Sequence, residues 1–224
     1  MSATTRTETV QLADGRALRM TFAQPHGVVR GGVVVLHEER GITQTMRALV
    51  SGLADEGWLT VAPHIYDGDS TETDAATARD RASALSGDSV LAHTDIAFGW
   101  LAQHGIEADR IGVIGFELGG AVSLVVAASR GIGAAVSVGG ILQQASPGLP
   151  ALVDMASELR CPWLGLYGDK VADEVAVLRE AAKRSETAND VVLYPAADHR
   201  FDIYPDTGME SWQRVLNWFD AHLR

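Results

Sequence analysis

Short apolar runs alternate with longer stretches of helical periodicity along the 224 residues. That alternation is the signature of β-α-β units building a mostly parallel sheet. Residues 6–24 alternate polar and apolar on either side of Ala13-Asp14-Gly15, which predicts an antiparallel hairpin. Gly31–Leu36 is a continuous apolar run and Leu59–Pro63 one broken only by Thr60, both of strand length and with the pattern of strands buried on both faces. Between them, Met46, Leu49, Val50 and Leu53 recur at helical spacing, predicting a helix over 43–56 closed by Gly57. A second amphipathic helix is expected from Val90 to His104, stopped near Gly105. Further strands are expected over 110–116, 133–139, 162–167 and 191–194, with helices over 121–128, 173–185 and 211–223. Residues 67–88, polar and alanine-rich, read as a loop and a helix over the strand ends.

Composition places this pattern in one soluble α/β domain spanning 1–224, with no shift that marks a second. A net charge of −11 argues against a nucleic-acid partner and against an anionic membrane surface. The first residues lack an apolar signal region, and no run approaches the ~20 apolar residues of a spanning helix. The expected setting is the cytoplasm, as a monomer or homodimer acting on a small molecule. Cys161 is the single cysteine, so no intrachain disulfide can form, and its apolar surroundings predict a buried structural thiol.

The candidate chemistry centres on residues 113–120, Val-Ile-Gly-Phe-Glu-Leu-Gly-Gly. An apolar strand runs into a Gly-x-Glu-x-Gly-Gly turn and then into an apolar helix. This is the strand–turn–helix of a nucleophile elbow, where close packing excludes Cβ atoms beside the strained nucleophile. The nucleophile position holds a carboxylate, Glu117. Two loop motifs follow later strands in the order acid, then histidine: Asp169 in Leu164-Gly-Leu-Tyr-Gly-Asp169-Lys, and His199 in Tyr194-Pro-Ala-Ala-Asp-His199-Arg-Phe. An aspartate there fixes the imidazole tautomer and leaves the other ring nitrogen facing the elbow.

With these motifs the chain resembles the dienelactone hydrolase family of the α/β-hydrolase fold, from about Val33 onward. His37-Glu38-Glu39-Arg40-Gly41-Ile42 is similar to the family's Glu-x-x-Gly segment, and Val61-Ala-Pro-His-Ile-Tyr66 to its Pro-Asp-Leu-Tyr segment, with His64 replacing the aspartate. The span 115–120 resembles Gly-x-Cys-x-Gly-Gly, and Asp198-His199-Arg-Phe201 resembles Gly-His-x-Phe. The resemblance implies that Glu38 contacts the side chain at the nucleophile position. It also implies that the backbone N–H groups of Glu39 and Leu118 form an oxyanion hole. A family arginine that grips the substrate carboxylate corresponds to Arg79 or Arg81, while Ile203 stands where a second is found. Tyr66, Arg40 and Phe116, within the same motifs, complete the expected substrate-binding set. No cofactor is implied, and no spacing among His37, Glu38, Glu117 and His199 demands a metal.

Replacing the family's cysteine by Glu117 removes thiol-mediated ester hydrolysis and leaves three readings. Glu117 is a covalent nucleophile, which suits a saturated carbon because attack on an acyl carbon yields a reactive anhydride. Alternatively it is an acid or base beside Glu38 and His199, suited to hydrolytic ring opening, elimination or isomerisation. In the third, the site has lost chemistry and binds a ligand. Tyr66, Tyr167 and Tyr194 are further proton-donor candidates; Trp163, Trp212 and Trp218 are expected in the core.

Overall fold

Apolar strands carry most of the sheet in the computed structural model: β1 (Arg6–Gln11), β2 (Ala17–Ala23), β3 (Gly31–Leu36), β4 (Trp58–Pro63), β5 (Ile111–Phe116), β6 (Ala134–Val138), β7 (Trp163–Gly168) and β8 (Asn189–Tyr194). The structure describes residues 2–11, 15, 17–66, 80, 86–140, 149–195 and 205–223. These strands form one sheet in the order β1-β2-β4-β3-β5-β6-β7-β8. The β1–β2 and β2–β4 pairs are antiparallel, and the five pairings from β4 through β3 to β8 are parallel. Every residue of β3, β4, β5, β6 and β7 is buried, as parallel strands covered on both faces require.

The helices are α1 (Gln44–Asp55), α2 (Gly87–Gln103), α3 (Leu118–Ser129), α4 (Leu152–Ala156), α5 (Ala172–Ala182) and α6 (Pro205–His222). They divide between the two faces. One apolar cluster joins α2, α3, α4 and α5 to strand residues such as Val34, Leu36 and Val113. The other joins α1 and α6 to the alternate set, including Val33, Val35, Ile114 and Phe116. The period of two along each strand sends neighbouring side chains to opposite faces and so builds two separate cores.

Helix ends follow their caps. Thr43 accepts the Met46 N–H at 3.2 Å to start α1, and Gly57, at φ 98°, follows its end in the left-handed region. Ser86 accepts the Ser89 N–H at 3.2 Å, so α2 begins at Gly87, three residues before the apolar signal. α6 begins at Pro205, six residues earlier than its periodicity suggests. Proline is favoured at a helix start, and the polar residues 206–210 give no apolar phase to read. β8 starts at Asn189 because Asn189 and Asp190 pair with Trp163 and Leu164, although neither is apolar. The five-residue α4 is too short to leave a periodic signal. The expected loop and helix over 67–88 and the Ala13-Asp14 turn lie almost wholly outside the described residues.

Candidate active site at the strand carboxyl ends

Glu117 occupies the single residue between β5 and α3. Its backbone lies at φ 51° and ψ −107°, and it is the only non-glycine with positive φ among the described residues. For an L-residue this conformation costs about 1–3 kcal/mol and persists only where the surroundings over-determine it. Here they do. The Glu117 N–H donates to the Val138 carbonyl at 2.9 Å, and its own carbonyl accepts from the Ala121 N–H at 3.0 Å. A Cβ on Gly115 would overlap the Gly119 carbonyl, and one on Gly119 would overlap the Leu36 carbonyl. A Cβ on Gly120 would lie 2.9 Å from the Gly140 Cα. The three glycines therefore let α3 turn back directly onto β3, β5 and the end of β6.

Buried hydroxyls hold that packing in register. Ser137 on β6 donates to the Gly120 carbonyl at 2.7 Å and accepts the Trp163 indole N–H at 2.9 Å. Ser123 donates to the Val136 carbonyl at 2.9 Å. Sequence reading passed over both serines. Their signal is a lone hydroxyl inside an otherwise apolar strand or helix, where a buried polar group needs a partner. Trp163, expected in the core, is buried there; Trp212 and Trp218 are half-buried against the α1/α6 core.

Glu38 and Glu39 follow β3 on a turn organised by His37. The His37 ring is buried; its Nε2 accepts the Ile65 N–H at 3.0 Å, so Nδ1–H donates to the Glu38 carbonyl at 2.7 Å. The same carbonyl accepts from the Gly41 N–H at 3.1 Å, and Gly41 takes φ 78°. Burial pushes the His37 imidazole down to about 4, against a smaller upward pull from the Glu38 carbonyl and with a further lowering from His93. His37 is therefore a neutral structural group whose two nitrogens are both engaged. It is not available as a metal ligand.

Glu38 is buried, Glu39 half-buried, and Arg40 exposed at the tip of the turn. Tyr66, past the end of β4, is buried with its ring 5.2 Å from that of His37. His64 is buried, and its Nε2 lies 2.8 Å from the Thr21 hydroxyl on the antiparallel strand β2. Asp169 is half-buried and opens a short 3-10 turn directly after β7. Tyr167 and Tyr194 are buried, and burial raises the ionisation of both phenols. Phe116 lines a cavity between α1 and α6, on the sheet face opposite α3. His199, Arg79 and Arg81 lie outside the described residues.

The ladder places these positions along one edge. Leu36 pairs with Gly115, Phe116 with Val138, and Gly168 with Tyr194, so β3, β5, β6, β7 and β8 end nearly level. Glu38, Glu117 and Asp169 therefore leave the sheet at its carboxyl end, where open parallel sheets place their ligands. Cys161 precedes β7 at the opposite end, and burial pushes its thiol up to about 12. Such burial is the setting of an inert structural thiol.

The dienelactone hydrolase family model matches residues 18–223. The chain belongs to the dienelactone hydrolase family. A Salmonella typhimurium protein named "Putative carboxymethylenebutenolidase" is 32% identical over 209 residues, covering 84% of this chain and 76% of that protein. A Bradyrhizobium protein named "Probable 2-oxo-3-(5-oxofuran-2-ylidene)propanoate lactonase" is 27% identical over 210 residues, covering 85% and 84%. The crystal structure titled "Putative Dienelactone Hydrolase" from Klebsiella pneumoniae superposes with a TM-score of 0.85 at 31% identity, covering 98% and 99% of the two chains. The family is one of hydrolases, and the eight-stranded sheet with helices on both faces is its α/β-hydrolase fold. No helix among the described residues is long and apolar enough to cross a membrane.

Proposed function

We propose that this protein hydrolyses a small lactone or similarly strained ring, with Glu117 as the base that activates water. One observation carries the reading: Glu117 keeps the strained elbow conformation, at φ 51° and ψ −107°, at the head of α3. Strain of this kind persists at sites where it positions a reacting group. The names of the relatives support a lactone as the substrate class. A carboxylate is a poor nucleophile toward a lactone carbonyl, because the product is an anhydride; as a base it avoids that intermediate.

In this reading Glu117 takes a proton from water while the water oxygen bonds to the lactone carbonyl carbon. The carbonyl oxygen becomes an oxyanion beside the Leu118 N–H, at the first residue of α3 where no intrahelical acceptor exists, and beside the Glu39 N–H. Collapse re-forms the carbonyl and breaks the ring C–O bond, and the proton passes to the departing oxygen. His199, held by Asp169, shuttles that proton. Glu38 shapes the pocket around Glu117, and Tyr66, Arg40 and one of Arg79 or Arg81 position the substrate.

A single turnover of a small lactone in ¹⁸O-water tests this. The label is expected in the new product carboxylate and absent from the Glu117 peptide. Glu117→Gln is expected to lower kcat roughly 10²–10⁴-fold, the range for loss of a positioned base. Label in the Glu117 carboxylate would establish the covalent reading instead. Unchanged kcat in Glu117→Gln would overturn both.

A further inference from the structure

We propose that the cavity between α1 and α6 is a second binding site, one that takes a small uncharged apolar molecule the size of a single substituted ring. The cavity encloses about 290 Å³ on the sheet face opposite α3. Its floor is Ile114, Phe116, Val138 and Leu166, consecutive strands presenting their α1/α6 side. Met46 from α1 and Trp212 from α6 form opposing walls.

The lining defines the occupant. Among the described residues that line it there is no charged side chain, and the hydroxyls are those of Thr45 and Ser211. The Ser211 hydroxyl is already committed, donating to the Gly208 carbonyl at 2.9 Å. An ion entering here would lose its hydration with nothing to replace it. An apolar cavity of about 150 Å³ holds benzene, and sites for drug-sized ligands begin near 300 Å³. The space therefore fits a single ring with a short substituent.

The walls are held apart by their own packing. Where α1 meets α6, Gly52 leaves room for Trp212, whose ring would lie 3.8 Å from a Cβ at that position. Trp212 bridges the helices there, while toward the first turns of α1 and α6 the gap stays open. Thr45 and Ala48 are exposed and mark the mouth. The floor residue Phe116 is peptide-bonded to Glu117, so an occupant on the α1/α6 face sits one residue along the chain from the elbow.

The test is a toluene titration of the full chain carrying ¹³C-methyl methionine, followed by NMR. Met46 lines the cavity, whereas Met20 and Met155 belong to the core of the other face and serve as internal controls. A saturating shift of the Met46 methyl is expected, with Met20 and Met155 unmoved; benzoate, of the same size but charged, is expected to leave all three in place. Ala48→Phe at the mouth and Leu49→Phe in the wall should each weaken toluene binding at least tenfold, with an unchanged Met20 signal reporting the intact fold. The proposal fails if Met46 shows no saturating shift up to the solubility of toluene, or if all three methyls move together. It fails equally if benzoate binds as well as toluene, or if a folded filling variant binds undiminished.

Discussion

The two faces of the sheet are filled in contrasting ways. On one, α3 is apolar on every side and buried along eleven of its twelve residues, from Leu118 to Ala128. Glycines bring its backbone against neighbouring carbonyls, and Ser123 and Ser137 bond it to β6. On the other face, α1 and α6 are amphipathic, bury one stripe each, and leave a cavity between them. The difference follows from what each face supports. A residue held at positive φ needs a backbone that cannot relax, and that requires contact without gaps. The far face carries no such demand, and there the helices are spaced by side chains.

The contrast predicts that one methyl group has opposite effects on the two faces. Gly119→Ala is expected to abolish folding or cost more than about 3 kcal/mol, because its Cβ meets the Leu36 backbone, which cannot step aside. Gly52→Ala, whose Cβ would lie 3.8 Å from the Trp212 ring, is expected to stabilise the protein by about 0.5–1 kcal/mol through helix propensity. Urea unfolding of both variants reads the difference. Equal effects would show that the faces are packed alike.

Truncating a leucine should sharpen the same comparison. Leu124 in α3 is fully buried, and Leu124→Ala is expected to cost about 2–5 kcal/mol. Leu49→Ala removes a side chain already bordering open space, and a cost below about 1.5 kcal/mol is expected, since few contacts are lost. Denaturant midpoints measured at constant m-value check both.

Acid should act through His37, beside the elbow. Its folded-state pKa is about 4, below the ordinary 6.5, so between those values the unfolded chain binds a proton that the folded protein refuses. Stability from this group is complete above about pH 6.5 and falls as the pH drops toward 4, by about 3 kcal/mol in all. His37→Asn should flatten that part of the stability–pH profile. A wild-type profile equally flat between pH 7 and 4.5 would contradict a buried neutral imidazole.

The smallest effect concerns the elbow itself. Glu117→Gly should raise stability by about 1 kcal/mol, since glycine adopts positive φ without a Cβ penalty, while removing the carboxylate. A thermal melt showing Glu117→Gly less stable than wild type would mean that side-chain contacts of Glu117 outweigh its backbone strain.

Much of this architecture is local and was readable before folding. Gly115, Glu117, Gly119 and Gly120 announce the elbow because a tight strand-to-helix turn tolerates few residues beside it. The buried strands betray themselves by apolar runs, interrupted only by Thr60 in β4 and Ser137 in β6. α1 shows its phase in Met46, Val50 and Leu53. The same reasoning missed the first turns of α2 and α6, where caps and polar residues, not periodicity, set the boundary.

Other features depend on residues far apart in the chain. His37 was a plausible ligand by type, but the Ile65 N–H, 28 positions away, makes it a structural acceptor. Phe116 stands beside Glu117 in sequence, yet the alternation of side chains along β5 sends it to the α1/α6 face. Ser137 gained its role from the Gly120 carbonyl and the Trp163 indole, which only the assembled sheet brings together. The strand–turn–helix units, the elbow and the family are legible in the residues alone, because they rest on steric rules and periodicities acting over a few neighbouring positions. Which buried polar groups are already satisfied, and where space remains between helices, emerge with the assembled fold, because hydrogen bonding and packing depend on what arrives from elsewhere in the chain.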